Sequence, residues 1–218
     1  MVWLLSTALA AAPPAEYRAR VVDLRGRQVQ LAGAWKSASE EDRAAVLESA
    51  RNTLYIAIVD DLLPAWQDTP WDFYGSTETP GQGTIACGFY VSTILRDAGF
   101  KVDRLALGRQ ASENIIRTLV PRSAMWWKHG VTAQASVAQA EDGLYIAGLD
   151  QHTGFVVVRD GAASFCDASY VAPVAVTCQP IAEAASFASN YRVFGDVLND
   201  DALVKWLEGA PFDTVGPH

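Results

Sequence analysis

Three residues of this sequence have the chemical types that a thiol-based catalytic relay requires: Cys87, His152 and Asp167. In such a relay the cysteine attacks as its thiolate, and a neighbouring imidazole stores the thiol proton and later donates it to the leaving group. A carboxylate holds the imidazole in one tautomer and stabilises its protonated form. The three residues are distant in sequence, so the relay depends on the elements that carry them.

Cys87 begins a stretch with the pattern of a buried amphipathic helix. Four apolar residues follow it at spacings of four, seven, eight and eleven and share its face: Val91, Ile94, Leu95 and Ala98. Gly99 stands where a glycine commonly ends a helix. A thiol at a helix N-terminus faces unpaired N–H groups and the positive end of the helix dipole, which favour the thiolate. The backbone N–H of Cys87 is a candidate oxyanion donor. The alternative is a buried structural cysteine, because free cysteine is often buried.

The sequence after this helix reads mainly as β-strands and places His152 and Asp167 on neighbouring strands. Strands are predicted over residues 143–149, 152–159 and 163–170, with Asp160-Gly161 as a hairpin turn. His152 then stands at the start of a strand, where a side chain reaches a cleft. Alternation along the next strand puts Asp167 on the face opposite Cys166. Helices followed by an antiparallel sheet predict an α+β fold.

The N-terminal region is predicted to be an arm and a helix. Charged and apolar residues alternate over 17–30, which favours a short strand or arm. Ser39 opens a capping-box pattern and predicts a helix over about residues 40–63, which Pro64 would end. Further elements are predicted as a helix, a strand and a closing helix capped by Asn199, over residues 110–119, 191–194 and 200–207.

Composition and charge exclude several classes of partner. The chain has 218 residues and a formal net charge of −8, which argues against binding to nucleic acid or to anionic membrane surfaces. No apolar run is long enough to span a bilayer. Residues 1–12 are typical of the apolar part of a signal peptide and predict export. The predicted organisation is a signal peptide over 1–12, an N-terminal arm and helix over 13–66, and a catalytic domain over 67–218.

The three cysteines of the chain are Cys87, Cys166 and Cys178. An oxidising compartment would leave one unpaired, and we expect the two that are close in sequence, Cys166 and Cys178, to pair. No CxxC motif or His/Cys ligand cluster is present, so no metal and no cofactor are predicted. Residues 81–86 match a dinucleotide-binding glycine pattern, but no buried strand precedes them, as that pattern requires.

In their order, these motifs resemble the NlpC/P60 superfamily of papain-like cysteine peptidases. The resemblance extends over about residues 71–170. The matching segments are Tyr74-Gly75 and residues 86–92, 95–99, 143–146, 152–156 and 167–169. The resemblance implies a papain-like core, with the nucleophile helix packed on an antiparallel sheet. The chain departs from the family pattern at Ala86, which stands where the family has aspartate, and at Gly88-Phe89, which replace Ser-Gly. Asp167 stands in place of a third-position histidine.

The relay and the resemblance together predict an exported thiol hydrolase that cleaves an amide bond, in a peptide or peptidoglycan-like substrate. Cys87 would be the nucleophile, His152 the general base and acid, and Asp167 the residue that orients it. Trp71 and Tyr74 are the predicted substrate-binding residues. Two alternatives remain open: a transferase or esterase that uses the same thiol, and a catalytically inactive binding module. The aromatic cleft of that module would consist of Trp71, Phe73, Tyr74, Trp126 and Trp127.

Overall fold

A computed structural model describes residues 14–216 and confirms the α+β class, with helices followed by an antiparallel sheet. The helices are α1 (Pro14–Ser37), α2 (Arg43–Ile56), α3 (Leu63–Ala65), α4 (Cys87–Asp97), α5 (Arg104–Gly108), α6 (Ser112–Leu119), α7 (Ala133–Val137) and α8 (Asp200–Glu208). The strands are β1 (Lys101–Val102), β2 (Met125–His129), β3 (Gly143–Leu149), β4 (Thr153–Arg159), β5 (Ala162–Ala168), β6 (Val176–Pro180), β7 (Tyr191–Asp196) and β8 (Pro211–Phe212). The predicted signal peptide lies outside the described residues.

Within residues 14–216, the main sheet has six strands in the order β2-β7-β3-β4-β5-β6, and every neighbouring pair is antiparallel. A separate parallel pair joins β1 to β8. The predicted strands β3, β4, β5 and β7 are confirmed, whereas β2 and β6 were not predicted. The β4–β5 hairpin turns at Asp160 and Gly161, whose φ angles of 53° and 72° are those that a type I′ turn requires.

The hydrophobic core lies on both faces of the main sheet. One buried cluster runs from Tyr17 to Phe212 and contains the apolar face of α4, so the N-terminal helices and the sheet share it. A second cluster covers the other face around Phe165, Phe187 and Phe194. The sheet is therefore held between two apolar layers, and its rim near the start of β4 is where the candidate catalytic residues lie.

The predicted strand or arm over residues 17–30 is wrong, because this segment lies inside α1. The buried residues of α1 are Tyr17, Leu24 and Trp35. They form a narrow and sparse apolar stripe, so the sequence shows no clear helical period. The hydroxyl of Tyr17 donates a buried hydrogen bond of 2.7 Å to Asp97. Because Asp97 is the last residue of α4, this bond ties α1 to the helix that begins with Cys87.

The second predicted helix differs from the structure at both ends. It begins at Arg43, after a turn in which Ser39 Oγ accepts the N–H of Asp42 at 3.2 Å. Pro64 does not end the helical path, which continues through a π-helical stretch, Ala57–Leu62, into α3. Pro64 lies in the first turn of α3, where a missing N–H removes no intrahelical hydrogen bond. Within residues 14–216, no helix combines the length and apolar content needed to cross a bilayer.

Two of the predicted helix ends are confirmed. The closing helix α8 is capped by Asn199, whose side-chain oxygen accepts the N–H of Ala202 at 3.0 Å. Gly209 then ends α8 in the left-handed conformation. The predicted helix over 110–119 is present as α6.

The predicted pairing of Cys166 with Cys178 is also confirmed: the disulfide joins β5 to β6 at directly opposite positions.

Candidate active site

The helix α4 begins at Cys87, as the sequence predicts, and Gly99 follows its end with a φ of 103°. The residue before the helix, Ala86, is extended and has no side-chain acceptor for the N–H groups of the first turn. These N–H groups carry the partial positive charge of the helix terminus. The thiol of Cys87 therefore lies among donors that stabilise a negative charge.

The loop before α4 is folded tightly against that N-terminus. The N–H of Ala86 donates to the carbonyl of Gly75 at 2.9 Å, and the N–H of Ile85 donates to that of Pro70 at 3.0 Å. A Cβ at Gly75 would lie 2.5 Å from the backbone nitrogen of Ile85, so only glycine allows this approach. The closure places the aromatic segment 71–74 beside Cys87.

A second close approach involves Gly88 and Gly108. A Cβ at Gly88 would collide with the carbonyl oxygen of Gly108, and a Cβ at Gly108 would lie 2.7 Å from the ring of Phe89. Helix α5 therefore packs directly against the first turn of α4 because both positions lack side chains. This contact gives a physical reason for glycine, rather than a larger residue, immediately after Cys87.

His152 and Asp167 come together through the β4–β5 register. His152 immediately precedes β4, and its Nε2 lies 2.7 Å from Oδ2 of Asp167 on β5. Both side chains are almost completely buried, with 3% and 1% exposed. Gly154 lies on β4 two residues after His152, and a Cβ there would lie 2.8 Å from the Cβ of Asp167 and 2.7 Å from the ring of Phe165. Because Gly154 has no side chain, there is space for His152 and Asp167 to form their hydrogen bond.

The electrostatics of Cys87 and His152 are complementary. Burial raises the pKa of Cys87, but the hydrogen bond and charge of His152, with the backbone N–H groups of Thr153 and Gly88, bring it below its ordinary value. Burial lowers the pKa of His152, but hydrogen bonds with Asp167 and Cys87 raise it to about 9. Opposite shifts of this kind favour a thiolate–imidazolium pair over a neutral thiol and imidazole.

The hydrogen bond to Asp167 also fixes how the imidazole is used. Because Nε2 of His152 is bound to Asp167, Nδ1 is the ring nitrogen left for the thiol of Cys87. The carboxylate accepts a hydrogen bond from Nε2 and so orients the imidazole ring with its other nitrogen towards Cys87. The structure thus brings together the three residues that the sequence singles out.

These residues open onto a cleft of about 800 Å³. Trp71 and Tyr74, the two residues that the sequence singles out for substrate binding, line this cleft together with Phe73. The side chains of Phe73 and Tyr74 are 70% and 85% exposed and form part of its rim. Trp126 and Trp127 were predicted in the aromatic cleft of the binding-module alternative, and that placement is wrong.

The two tryptophans lie away from the cleft. Trp126 stacks on Phe194, with ring centroids 4.9 Å apart, in the apolar layer on the other face of the sheet. Trp127 lies beneath the guanidinium of Arg122. Adjacent residues in a strand point to opposite faces of the sheet. The sequence around Trp126 and Trp127 does not show which face each of them occupies.

Sequence reasoning missed two further residues that line the cleft. Tyr170 packs edge-on against His152, with ring centroids 5.1 Å apart, and against Trp71 at 6.2 Å. Its position two residues after the end of β5, the strand that carries Asp167, is a signal that could have found it. Arg109, which follows α5, also lines the cleft, and no sequence motif marks it.

Within residues 14–216, no group of histidine, cysteine, aspartate and glutamate side chains has the arrangement of a metal site. The sequence matches no protein-family model, and no curated protein or solved structure is significantly similar to it.

Proposed function

We propose that this protein is a papain-like thiol hydrolase of the NlpC/P60 type that cleaves an amide bond. The observation that carries the proposal is the hydrogen bond of 2.7 Å between His152 and Asp167 behind a thiol whose pKa is lowered. Structural histidines and cysteines rarely combine a helix N-terminus, a buried carboxylate partner and opposite pKa shifts at the rim of a cleft. The order of the family-like motifs supports the same assignment.

The proposed reaction has two steps. The thiolate of Cys87 attacks the amide carbonyl, and the C–N bond breaks as the imidazolium of His152 donates its proton to the leaving amine. Water then attacks the thioester; His152 takes up a proton from that water, and the C–S bond breaks to release the acid. N–H groups of the first turn of α4 stabilise the negative oxygen in both steps. Asp167 keeps Nδ1 of His152 directed at the reacting atoms.

We infer a peptide substrate, with a peptidoglycan-like peptide as the first class to test. The cleft of about 800 Å³ is wide enough for several residues of an extended peptide. Its exposed aromatic rim, with Phe73 and Tyr74, offers flat apolar surfaces for the chain on either side of the bond. The Cys166–Cys178 disulfide is compatible with an exported enzyme, which a cell-wall substrate would require.

The proposal predicts that Cys87 reacts rapidly with iodoacetamide and that His152→Ala slows the reaction at least about tenfold near neutral pH. Without the imidazolium, burial raises the pKa of the thiol and the thiolate fraction falls. His129→Ala is the matched control, since His129 is exposed and lies outside the cleft. Peptide mapping locates the label. Equal rates in wild type and a folded His152→Ala variant would contradict the relay.

The exposed aromatic rim favours a second candidate, a module that binds a ligand without cleaving it. In that case Cys87 would fail to react with electrophiles although the cleft still bound its ligand. A reactive thiol that transfers an acyl group to an acceptor other than water, or cleaves an ester, would instead indicate a transferase or esterase with the same relay. Product analysis after turnover separates these outcomes.

A further inference from the structure

The cleft carries little charge for a protein with a net charge of −8. Among the described residues that line it, Arg109 is the one arginine or lysine and Asp150 is the one carboxylate. Asp150 accepts hydrogen bonds from Ser189 Oγ at 2.8 Å and from the N–H of Asn190 at 2.9 Å. These bonds hold Asp150 on its own loop and keep it ionised, so Arg109 is the residue of the cleft that can attract an anionic group.

Two arginines near the cleft have different roles. Arg104 is buried and donates to Thr93 Oγ1 at 2.7 Å and to the carbonyl of Ser76 at 2.7 Å, so its hydrogen bonds hold α5 to α4 and to the preceding loop. Arg109 is exposed, and its side chain makes no hydrogen bond or ion pair with any residue in the range 14–216. An arginine that supports the fold is tied to protein acceptors, whereas Arg109 is available to a ligand.

The backbone brings Arg109 close to the nucleophile. Gly108, the residue before it, packs against Gly88, the residue after Cys87, because neither position has a side chain. The side chain of Arg109 therefore leaves the backbone next to the first turn of α4, on a wall of the same cleft. An ammonium or guanidinium so placed interacts with a charged group on a bound molecule over a short distance.

We propose that Arg109 selects substrates that carry a carboxylate beside the bond that Cys87 attacks. The inference rests on the proposed thiol hydrolase activity and names a substrate class for it. A guanidinium presents a planar fork of N–H donors that matches the two oxygens of a carboxylate. Such a guanidinium attracts an anionic group of a bound ligand, and the exposed aromatic rim of the cleft contacts its apolar parts.

Two alkylating reagents of the same size test this proposal without knowledge of the substrate. Iodoacetate and iodoacetamide react alike: the thiolate of Cys87 forms an S–C bond, the C–I bond breaks and iodide leaves. They differ in that iodoacetate carries a carboxylate. We expect Arg109→Gln to lower the iodoacetate rate about two- to fivefold, the range of an exposed ion pair, and to leave the iodoacetamide rate unchanged. Added salt should reduce the difference.

Two variants control for charge and for side-chain size. Arg117→Gln makes the same change of charge on an exposed residue of α6 outside the cleft, and we expect no effect on either rate. Arg109→Lys keeps the positive charge and should retain most of the preference for iodoacetate. Circular dichroism and denaturant unfolding confirm that the variants are folded.

Each result decides a separate point. An unchanged ratio of the two rates in Arg109→Gln would overturn the role of Arg109 but leave the relay intact. An equal loss with both reagents would show that Arg109 acts on the thiolate of Cys87 rather than on a ligand carboxylate, and would also overturn the proposal. If wild-type Cys87 reacted with neither reagent, the proposed hydrolase activity itself would fail, and the inference with it.

Discussion

Replacing Asp167 with asparagine tests how the buried carboxylate controls the site. The side chains are similar in size, but asparagine has no charge and carries an amide where Asp167 accepts a hydrogen bond from Nε2 of His152 at 2.7 Å. Burial alone lowers the pKa of His152, and the bond to Asp167 is the largest opposing influence. In Asp167→Asn, we therefore expect the pKa of His152 to fall from about 9 to its ordinary value of 6.5 or below.

The size of the effect follows from the fraction of imidazolium. At about pH 7.5, a histidine with a pKa of about 9 is about 97% protonated, whereas one with a pKa of 6.5 is about 9% protonated. The thiolate of Cys87 depends on that positive charge. Alkylation of Cys87 near pH 7.5 should therefore slow about tenfold in Asp167→Asn. An amide that donates to Nε2 would also place the ring proton on Nδ1, and that tautomer cannot accept the thiol proton.

The assay is the rate of iodoacetamide labelling of Cys87 as a function of pH. In wild type, the lowered pKa of Cys87 keeps labelling rapid below the pH at which an ordinary thiol ionises; in Asp167→Asn, we expect the rise of the labelling rate to move to higher pH, because the thiol loses the positive charge that favours its thiolate. Asp201→Asn, on the exposed surface of α8, is the matched control and should leave the profile unchanged. A folded Asp167→Asn variant with the wild-type profile would refute the reasoning.

Two further predictions concern stability, and denaturant unfolding measures both. Gly88→Ala should lower the free energy of unfolding by about 1–3 kcal/mol and slow labelling of Cys87, because the added Cβ collides with Gly108. The control is Gly26→Ala, which should not destabilise the fold because its Cβ has no neighbour within 4 Å. Equal effects of the two substitutions on the free energy of unfolding would contradict the packing argument. Replacing Cys166 and Cys178 with serine opens a link across a sequence separation of 12 residues and should cost about 3 kcal/mol. An unchanged free energy of unfolding would show that the disulfide contributes nothing.

Sequence patterns predicted the parts of the site that local chemistry determines. The apolar spacing after Cys87 and the glycine at position 99 defined α4 from first to last turn. Asp160-Gly161 fixed the hairpin, and strand alternation then placed Asp167 on the face opposite Cys166. Each of these features depends on residues within a few positions of one another, which a single sequence contains.

The elements that were missed depend on long-range pairing. Strand β6 is an outer strand of the sheet whose partner, β5, supplies its hydrogen bonds, and the five residues of Val176–Pro180 show no pattern of their own. Strand β2 is the opposite outer strand, and among the described residues its one partner strand is β7. The place of Arg109 in the cleft is hidden for the same reason: it depends on a contact between Gly108 and Gly88, which are distant in sequence.

The positions at which this chain departs from the family pattern are themselves part of the site. Ala86 provides no side chain to cap α4, so the N–H groups of the first turn stay available to the thiolate and to a developing oxyanion. Gly88 admits Gly108 into contact with that turn and so brings Arg109 to the cleft. Neither change touches His152, which keeps its bond to Asp167. We therefore expect the relay to react like that of a papain-like enzyme, and we expect the wall formed by α5 to determine which substrates it accepts.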